Sequence, residues 1–182
     1  DLEGYASHKG SLLGNLPGVA QPSQKHFETL LAEQMAQFDL SRPVFVEGES
    51  AKIGRVAVPL PLMAQMRAAP VIEVQATPEA RLAYLLRDYA YLGDDAADLS
   101  RRMGALKELQ GNEVVARWQA WAEQGALPLL FDELMRLHYD PHYLRSQTRN
   151  FAQWPTRQNY ASNDLSDAGI EALATAIARD LQ

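Results

Sequence analysis

Apolar residues recur along this chain at two spacings, and each spacing predicts a different element. Between Ser23 and Phe38, the residues Phe27, Leu30, Leu31, Met35 and Phe38 lie at helical intervals. That period predicts a helix with one apolar face, and Ser23 stands where an N-cap is wanted. Pro43-Val44-Phe45-Val46-Glu47 is instead a short unbroken apolar run ending in a carboxylate, as in a buried strand of a parallel sheet. A short helix is expected over about Leu60 to Arg67, then a second strand at Val71-Ile72-Glu73-Val74. Thr77-Pro78-Glu79 supplies cap, first-turn proline and first-turn acid, so it opens a helix carrying Leu82, Leu85, Leu86 and Tyr89. From Asp94 to about His138 the pattern is helical throughout, with breaks near Gly111 and at Gly125-Ala126-Leu127-Pro128. A strand near Asn159-Tyr160-Ala161 precedes a last helix from Ser166, with Ile170, Leu173, Ala174, Ile177 and Leu181 on one face. Asp1 to Pro22, rich in Gly, Ser, Asn and Pro, reads as an ordered loop.

Strand and helix in alternation, followed by a helical run, imply an α/β fold with a parallel sheet and a helical insertion. The expected divisions are 1–93 (an α/β part), 94–150 (a helical insertion or lid) and 151–182 (a strand and helix returning to the α/β part). Composition adds that the chain is globular: 182 residues, 47% of them apolar and 22% charged. Cysteine is absent, which excludes a disulfide framework, a thiolate zinc site and a cysteine nucleophile within this chain. No apolar run approaches the ~18 residues of a membrane helix, and no signal peptide is visible. A cytoplasmic location without a membrane partner is therefore expected. The abrupt start at Asp1, without an initiator Met, reads as a piece of something longer.

The net charge of −6 argues against nucleic-acid binding over the whole surface and leaves room for a local basic face. One stretch fits that description. Arg136 to Gln158 holds Arg136, Arg145, Arg149 and Arg157 with His138 and His142, against the single acid Asp140. Tyr139, Tyr143, Phe151 and Trp154 are interleaved. Arginines neutralise phosphates and aromatic rings stack on unpaired bases, so Arg145, Arg149 and Tyr143 are candidate RNA contacts. The same composition also suits aromatics in a core beneath a solvated arginine face. His138 and His142 have the i, i+4 spacing of metal ligands, but Pro141 between them is expected to break the helix and no third ligand stands out; no metal site is assigned. Arg81, Arg87, Arg101 and Arg102 could close over phosphates or simply face water.

Two further stretches could carry chemistry. Asp1-Leu2-Glu3-Gly4-Tyr5-Ala6-Ser7-His8-Lys9-Gly10-Ser11 packs hydroxyls, an imidazole, an ammonium and glycines together. Ser7, His8, Lys9 and Ser11 are candidate ligands of an anionic group, with glycines letting backbone N–H groups approach it. The alternative is a solvated surface loop. Glu47 and Glu49 follow the apolar run of the first strand, where α/β folds place ligands and where P-loop proteins orient magnesium or a water. They could equally face solvent as the strand ends.

The first of these motifs, with Gln21-Pro22-Ser23-Gln24-Lys25 and Phe27-Glu28, resembles the signature of the tRNA 2-selenouridine synthases. Glu47-x-Glu49-Ser50-x-x-Ile53-Gly54 and Tyr139-Asp140-Pro141-x-Tyr143-x-x-Ser146 are similar to that family's motifs in the same order. The departures are Lys9 where Arg is expected, which gives up a two-pronged grip on phosphate, and Leu13 where Phe is expected. The resemblance implies a P-loop domain joined to an upstream rhodanese domain in the parent protein. It implies replacement of sulfur by selenium in wobble 2-thiouridine of tRNA, through a geranylated intermediate. Selenophosphate and geranyl diphosphate would be co-substrates, with magnesium as a further candidate. This portion would bind the anticodon region of tRNA, a diphosphate substrate, or both. The phosphate loop GxxxxGK[ST] does not occur in the chain, nor does the rhodanese cysteine, so it is not expected to catalyse the full reaction alone. Its sheet would lack the strand that precedes that loop. A P-loop small-molecule kinase and a non-catalytic RNA- or protein-binding module remain the competing readings.

Overall fold

The opening segment is helical where a loop was expected. Leu2 and Ala6 lie one turn apart and both are buried, so a single turn of helix, α1 (Leu2–Ala6), puts them on one face. Asp1 caps it, accepting from Gly4 N at 2.6 Å. The computed structural model describes residues 1–48 and 50–181. These fall into two compact units, Asp1–Ala69 with Ser146–Gln153, and Pro70–Arg145 with the chain from Trp154 onward.

In the first unit α2 (Gln24–Met35) starts at the expected cap, Ser23 Oγ accepting from His26 N at 3.2 Å. Phe27 and Leu31 are its buried residues. They join Leu2, Ala6, Ile53, Val56, Val58, Met63 and Met66 in one core. Full burial of a side chain such as Phe27 contributes about 2–3 kcal/mol. Ile53 and Val56 belong to a hairpin of β1 (Lys52–Ile53) and β2 (Val56–Ala57), and the two methionines to α3 (Leu60–Ala68).

The hairpin is held by two glutamine side chains. Gln24 Nε2 donates to Ala57 O and Gln24 Oε1 accepts from Ala57 N, both at 2.8 Å, as a neighbouring backbone would. Gln21 Nε2 donates to Ala6 O at 3.0 Å and to Ile53 O at 3.1 Å, and Gln21 Oε1 accepts from Arg55 N at 2.9 Å. The turn residue Gly54 has φ +57, and a Cβ there would run into the Gln21 amide, so both conformation and space require glycine.

The strand expected at Pro43–Glu47 does not form among the described residues. A strand needs a ladder, and residues 43–48 pair with no other backbone; Val44, Phe45 and Val46 are exposed. The run is fixed at its end instead: Glu47 accepts from Leu2 N, and Gly48 O accepts from Gln147 Nε2 at 2.8 Å.

The parallel pairing among the described residues lies in the second unit. β3 (Ile72–Gln75) runs parallel to β4 (Gln158–Ala161), Ile72 opposite Gln158 and Gln75 opposite Ala161. Parallel β structure is thus present as two strands, so the fold is mixed α/β, mostly helical with small sheets. Arg157 Nε donates to Glu73 at 2.8 Å across the pair, and its guanidinium lies 4.4 Å from the Trp154 ring centroid. α4 (Pro78–Asp88) starts at its predicted cap, Thr77. The helical run divides into α5 (Ala96–Gly104), α6 (Lys107–Gln110), α7 (Asn112–Glu123) and α8 (Leu127–Leu134). Breaks fall at Gly111 and Gly125, both at positive φ, and also between α5 and α6. α5 packs on α7 and α8 on both α4 and α7, burying Leu99, Met103, Val115, Trp118, Leu130 and Phe131. α10 (Asp167–Asp180) starts at its predicted cap, Ser166, although only Ile177 of its apolar face is buried.

Pro141 does not break the chain's path. α8 runs into a π-helical turn, Met135–Tyr139, and then into α9 (Asp140–Asn150). The π turn closes with Asp140 N on Met135 O, five residues back. This wider turn makes room for the proline ring, which in an α-helix strikes the carbonyl four residues earlier. That carbonyl, Leu137 O, accepts instead from Gln110 Nε2 at 3.4 Å.

Candidate functional site

The loop after α1 is closed on its own backbone. Ser7 ends the helix in the left-handed region (φ 50, ψ 45), the one non-glycine with positive φ among the described residues. Lys9 N donates to Gly14 O at 2.9 Å, Ser11 N to Lys9 O at 2.6 Å and Gly14 N to Ser11 O at 3.0 Å, while Ser11 Oγ accepts from Leu13 N at 3.2 Å. An isolated bridge joins His8 to Asn15. The expected open cradle of backbone N–H groups is therefore largely used up inside the loop. His8 is buried under it, so close to Gly14 that a Cβ there would lie 2.8 Å from the imidazole. Ser7, Lys9 and Ser11 are partly exposed.

Glu47 is placed at the N-terminus of α1, where both of its oxygens approach Leu2 N, at 2.9 and 3.1 Å. A carboxylate there is stabilised by the helix dipole and unsatisfied N–H groups. Glu49 lies outside the described residues. No group of three or more His, Cys, Asp or Glu side chains gathers as metal ligands among the described residues.

The basic stretch separates into committed and uncommitted arginines. Arg157 is bound to Glu73, and Arg136 approaches Glu133 at 3.6 Å. Arg145 and Arg149 on α9 are exposed and make no ion pair among the described residues. Helix geometry explains their exposure: Gln147, only 3% exposed, stands between them, and residues two positions to either side point away from the buried face. Tyr139 and Tyr143 stack, ring centroids 5.9 Å apart and planes 10° from parallel, with 46% and 43% exposure. The acid of the stretch, Asp140, is neutralised by a two-pronged bond from Arg81 of α4, at 3.0 and 2.5 Å. The hydrogen bond to Asp140 raises the Arg81 pKa against the opposing effect of burial. Nothing in the sequence pairs Asp140 with Arg81. Their separation by 59 positions leaves no local signal.

The other arginines considered as phosphate clamps are occupied. Arg87 donates to Leu165 O at 2.8 Å and lies 3.7 Å from Asp167. Arg101 and Arg102 both hold Asp98, whose carboxyl is kept below its usual range chiefly by the Arg102 hydrogen bond. His138 and His142 are 4.9 Å apart between centroids, and His138 Nδ1 lies 3.2 Å from Gln110 Nε2. Burial, and then the charge of His142, pushes His138 below the ordinary histidine value.

Comparison with known proteins places these features in a family. A family model described as the tRNA 2-selenouridine synthase AAA domain matches residues 1–111. A tRNA 2-selenouridine synthase of Aeromonas salmonicida is 32% identical over 181 residues, covering 79% of this chain and 46% of that protein. One from Alcanivorax borkumensis is 38% identical over 121 residues, 64% of this chain and 32% of its own length. Another from Cupriavidus necator is 32% identical over 171 residues, again 79% of this chain and 46% of the relative. The chain thus spans less than half the length of these relatives. No solved structure matches it. The match over residues 1–111 takes in the capped α1, the closed loop and the glutamine-held hairpin, and on that match the chain belongs to the tRNA 2-selenouridine synthase family.

Proposed function

We propose that this chain is the tRNA-holding portion of an enzyme that replaces sulfur by selenium in the wobble 2-thiouridine of tRNA. The family match supports the parent activity. The observation that carries the role of this portion is the exposure of Arg145 and Arg149 on α9, uncommitted in a chain whose other arginines on this stretch are paired. In this reading Arg145 and Arg149 neutralise tRNA phosphates near the anticodon, and Tyr143 stacks on a base. Ser7, Lys9 and Ser11 offer hydroxyls and an ammonium to an anionic co-substrate, a diphosphate such as geranyl diphosphate or the selenophosphate donor, and His8 supports the loop from beneath. The geranylated intermediate would be handled in the parent protein, whose upstream rhodanese domain supplies the cysteine that this chain does not contain. A Walker A segment upstream would supply the phosphate loop. Glu47, which accepts from Leu2 N, would with Glu49 orient magnesium or a water at the phosphates of that co-substrate.

The test is charge reversal. Arg145→Glu with Arg149→Glu is expected to lower tRNA affinity at least about tenfold and to flatten its salt dependence by about one unit of slope per lost phosphate contact. Filter binding across a salt series reads both. Unchanged affinity and slope would remove the RNA role from α9.

A further inference from the structure

We infer that Tyr139 and Tyr143 act together as a two-ring platform for an unpaired nucleobase, held in position by the Arg81–Asp140 clasp. The inference rests on the tRNA reading above and deepens it by naming what the helix grips: a base in a loop, not a base pair. The first support is geometric. The rings are one helical turn apart, nearly parallel and both about half exposed, so they present aromatic surface to solvent that the core does not use. Exposed stacked tyrosines are uncommon as packing devices, because the burial that rewards an aromatic side chain is forgone.

The second support is rigidity. Asp140 lies between the two tyrosines in sequence and is gripped at both oxygens by Arg81 from α4. The π turn ending at Tyr139 fixes where α9 begins, with Leu137 O and His138 Nδ1 both beside Gln110 Nε2. A platform on such an anchored turn loses little freedom when a base stacks on it.

The third is charge. Asp140, which stands between the two tyrosines, is neutralised by Arg81, so the acid nearest the rings in sequence does not repel an approaching phosphate backbone. An unpaired nucleotide brings an open π face for the rings and a phosphate backbone that the neutralised acid does not repel, and base-paired RNA offers only the backbone.

The experiment uses the full chain, a tRNA transcript and a blunt RNA duplex of similar length. Tyr139→Leu and Tyr143→Leu are each expected to weaken tRNA binding about fivefold or more while leaving duplex binding unchanged. Tyr139→Phe and Tyr143→Phe, which keep the ring, are expected to bind tRNA as the parent chain does. If the leucine variants bind tRNA normally while reversal of Arg145 and Arg149 weakens it, the platform is wrong and the tRNA reading stands. If the arginine reversal has no effect either, both fall. Equal loss on tRNA and duplex, or failure of the phenylalanine variants to retain binding, would mean that the substitutions disturb the helix, and would also overturn the platform.

Discussion

At the scale of single residues, Ser7 and Glu133 show how structural and functional demands can be separated. Ser7 holds a left-handed conformation that costs an L-residue about 1–2 kcal/mol. Ser7→Gly keeps the turn and removes the hydroxyl, so thermal stability is expected to stay within about 1 kcal/mol or improve. Any loss of diphosphate binding in that variant, measured by calorimetry, then belongs to the hydroxyl. Glu133 is the opposite case, a purely structural acid. Its carboxylate is 14% exposed and accepts from Trp118 Nε1 at 2.9 Å and from Arg117 at 2.9 and 3.0 Å. Glu133→Ala leaves the buried indole N–H without this acceptor and is expected to cost about 2–3 kcal/mol, read from urea unfolding, with little direct effect on tRNA affinity.

At the scale of elements, the clasp between α4 and the start of α9 can be measured by a double-mutant cycle. Arg81 and Asp140 are 34% and 43% exposed, so solvent screening limits the coupling to about 1 kcal/mol. Arg81→Leu, Asp140→Leu and the double variant, followed by urea midpoint, would show it; strictly additive effects would mean the pair contributes nothing. Elements also mark the limit of what the sequence discloses. The caps Ser23, Thr77 and Ser166 and the breaks at Gly111 and Gly125 were legible because each is a local signal with a local cause. The β3 and β4 segments were legible for the same reason. Their pairing depends on a partner 86 positions away, and the missing ladder of Pro43–Glu47 likewise depends on what lies beside it. Local composition cannot report either. Pro141 misled because a π turn, which no propensity rule anticipates, removed the clash that normally ends a helix. For the candidate site, residue types were legible and their commitments were not: four similar arginines between 136 and 157 divide into paired and unpaired only in three dimensions.

At the scale of the whole molecule, pH acts through the few groups whose ionisation folding disturbs. His138 is held below the ordinary histidine value, first by burial and then by the charge of His142. The unfolded chain therefore binds the proton more readily. The associated stability is fully present above about pH 6.5 and is lost as pH falls through the lower folded value. Urea midpoints should drop between pH 7.5 and pH 5.5, and His138→Gln should reduce that slope. Glu73 acts in the same direction at lower pH. Burial raises it, but the hydrogen bonds from Arg157 and Gln75 together hold it below 4.5, so its contribution is lost only as the medium becomes more acidic than that. The glutamine that secures the hairpin sets a different limit, one of chemical lifetime. Gln21 spends both amide hydrogens on carbonyls of two separate segments. Deamidation changes it by a single atom and leaves its size intact, yet it turns the donor end into a second oxygen facing Ala6 O and Ile53 O. Gln21→Glu, the mimic of that ageing product, is expected to cost about 1–3 kcal/mol in a thermal melt. An old preparation would thus lose stability in its first unit through a reaction that keeps the size of one side chain, and a mass increase of about one dalton at this position would precede any loss of structure.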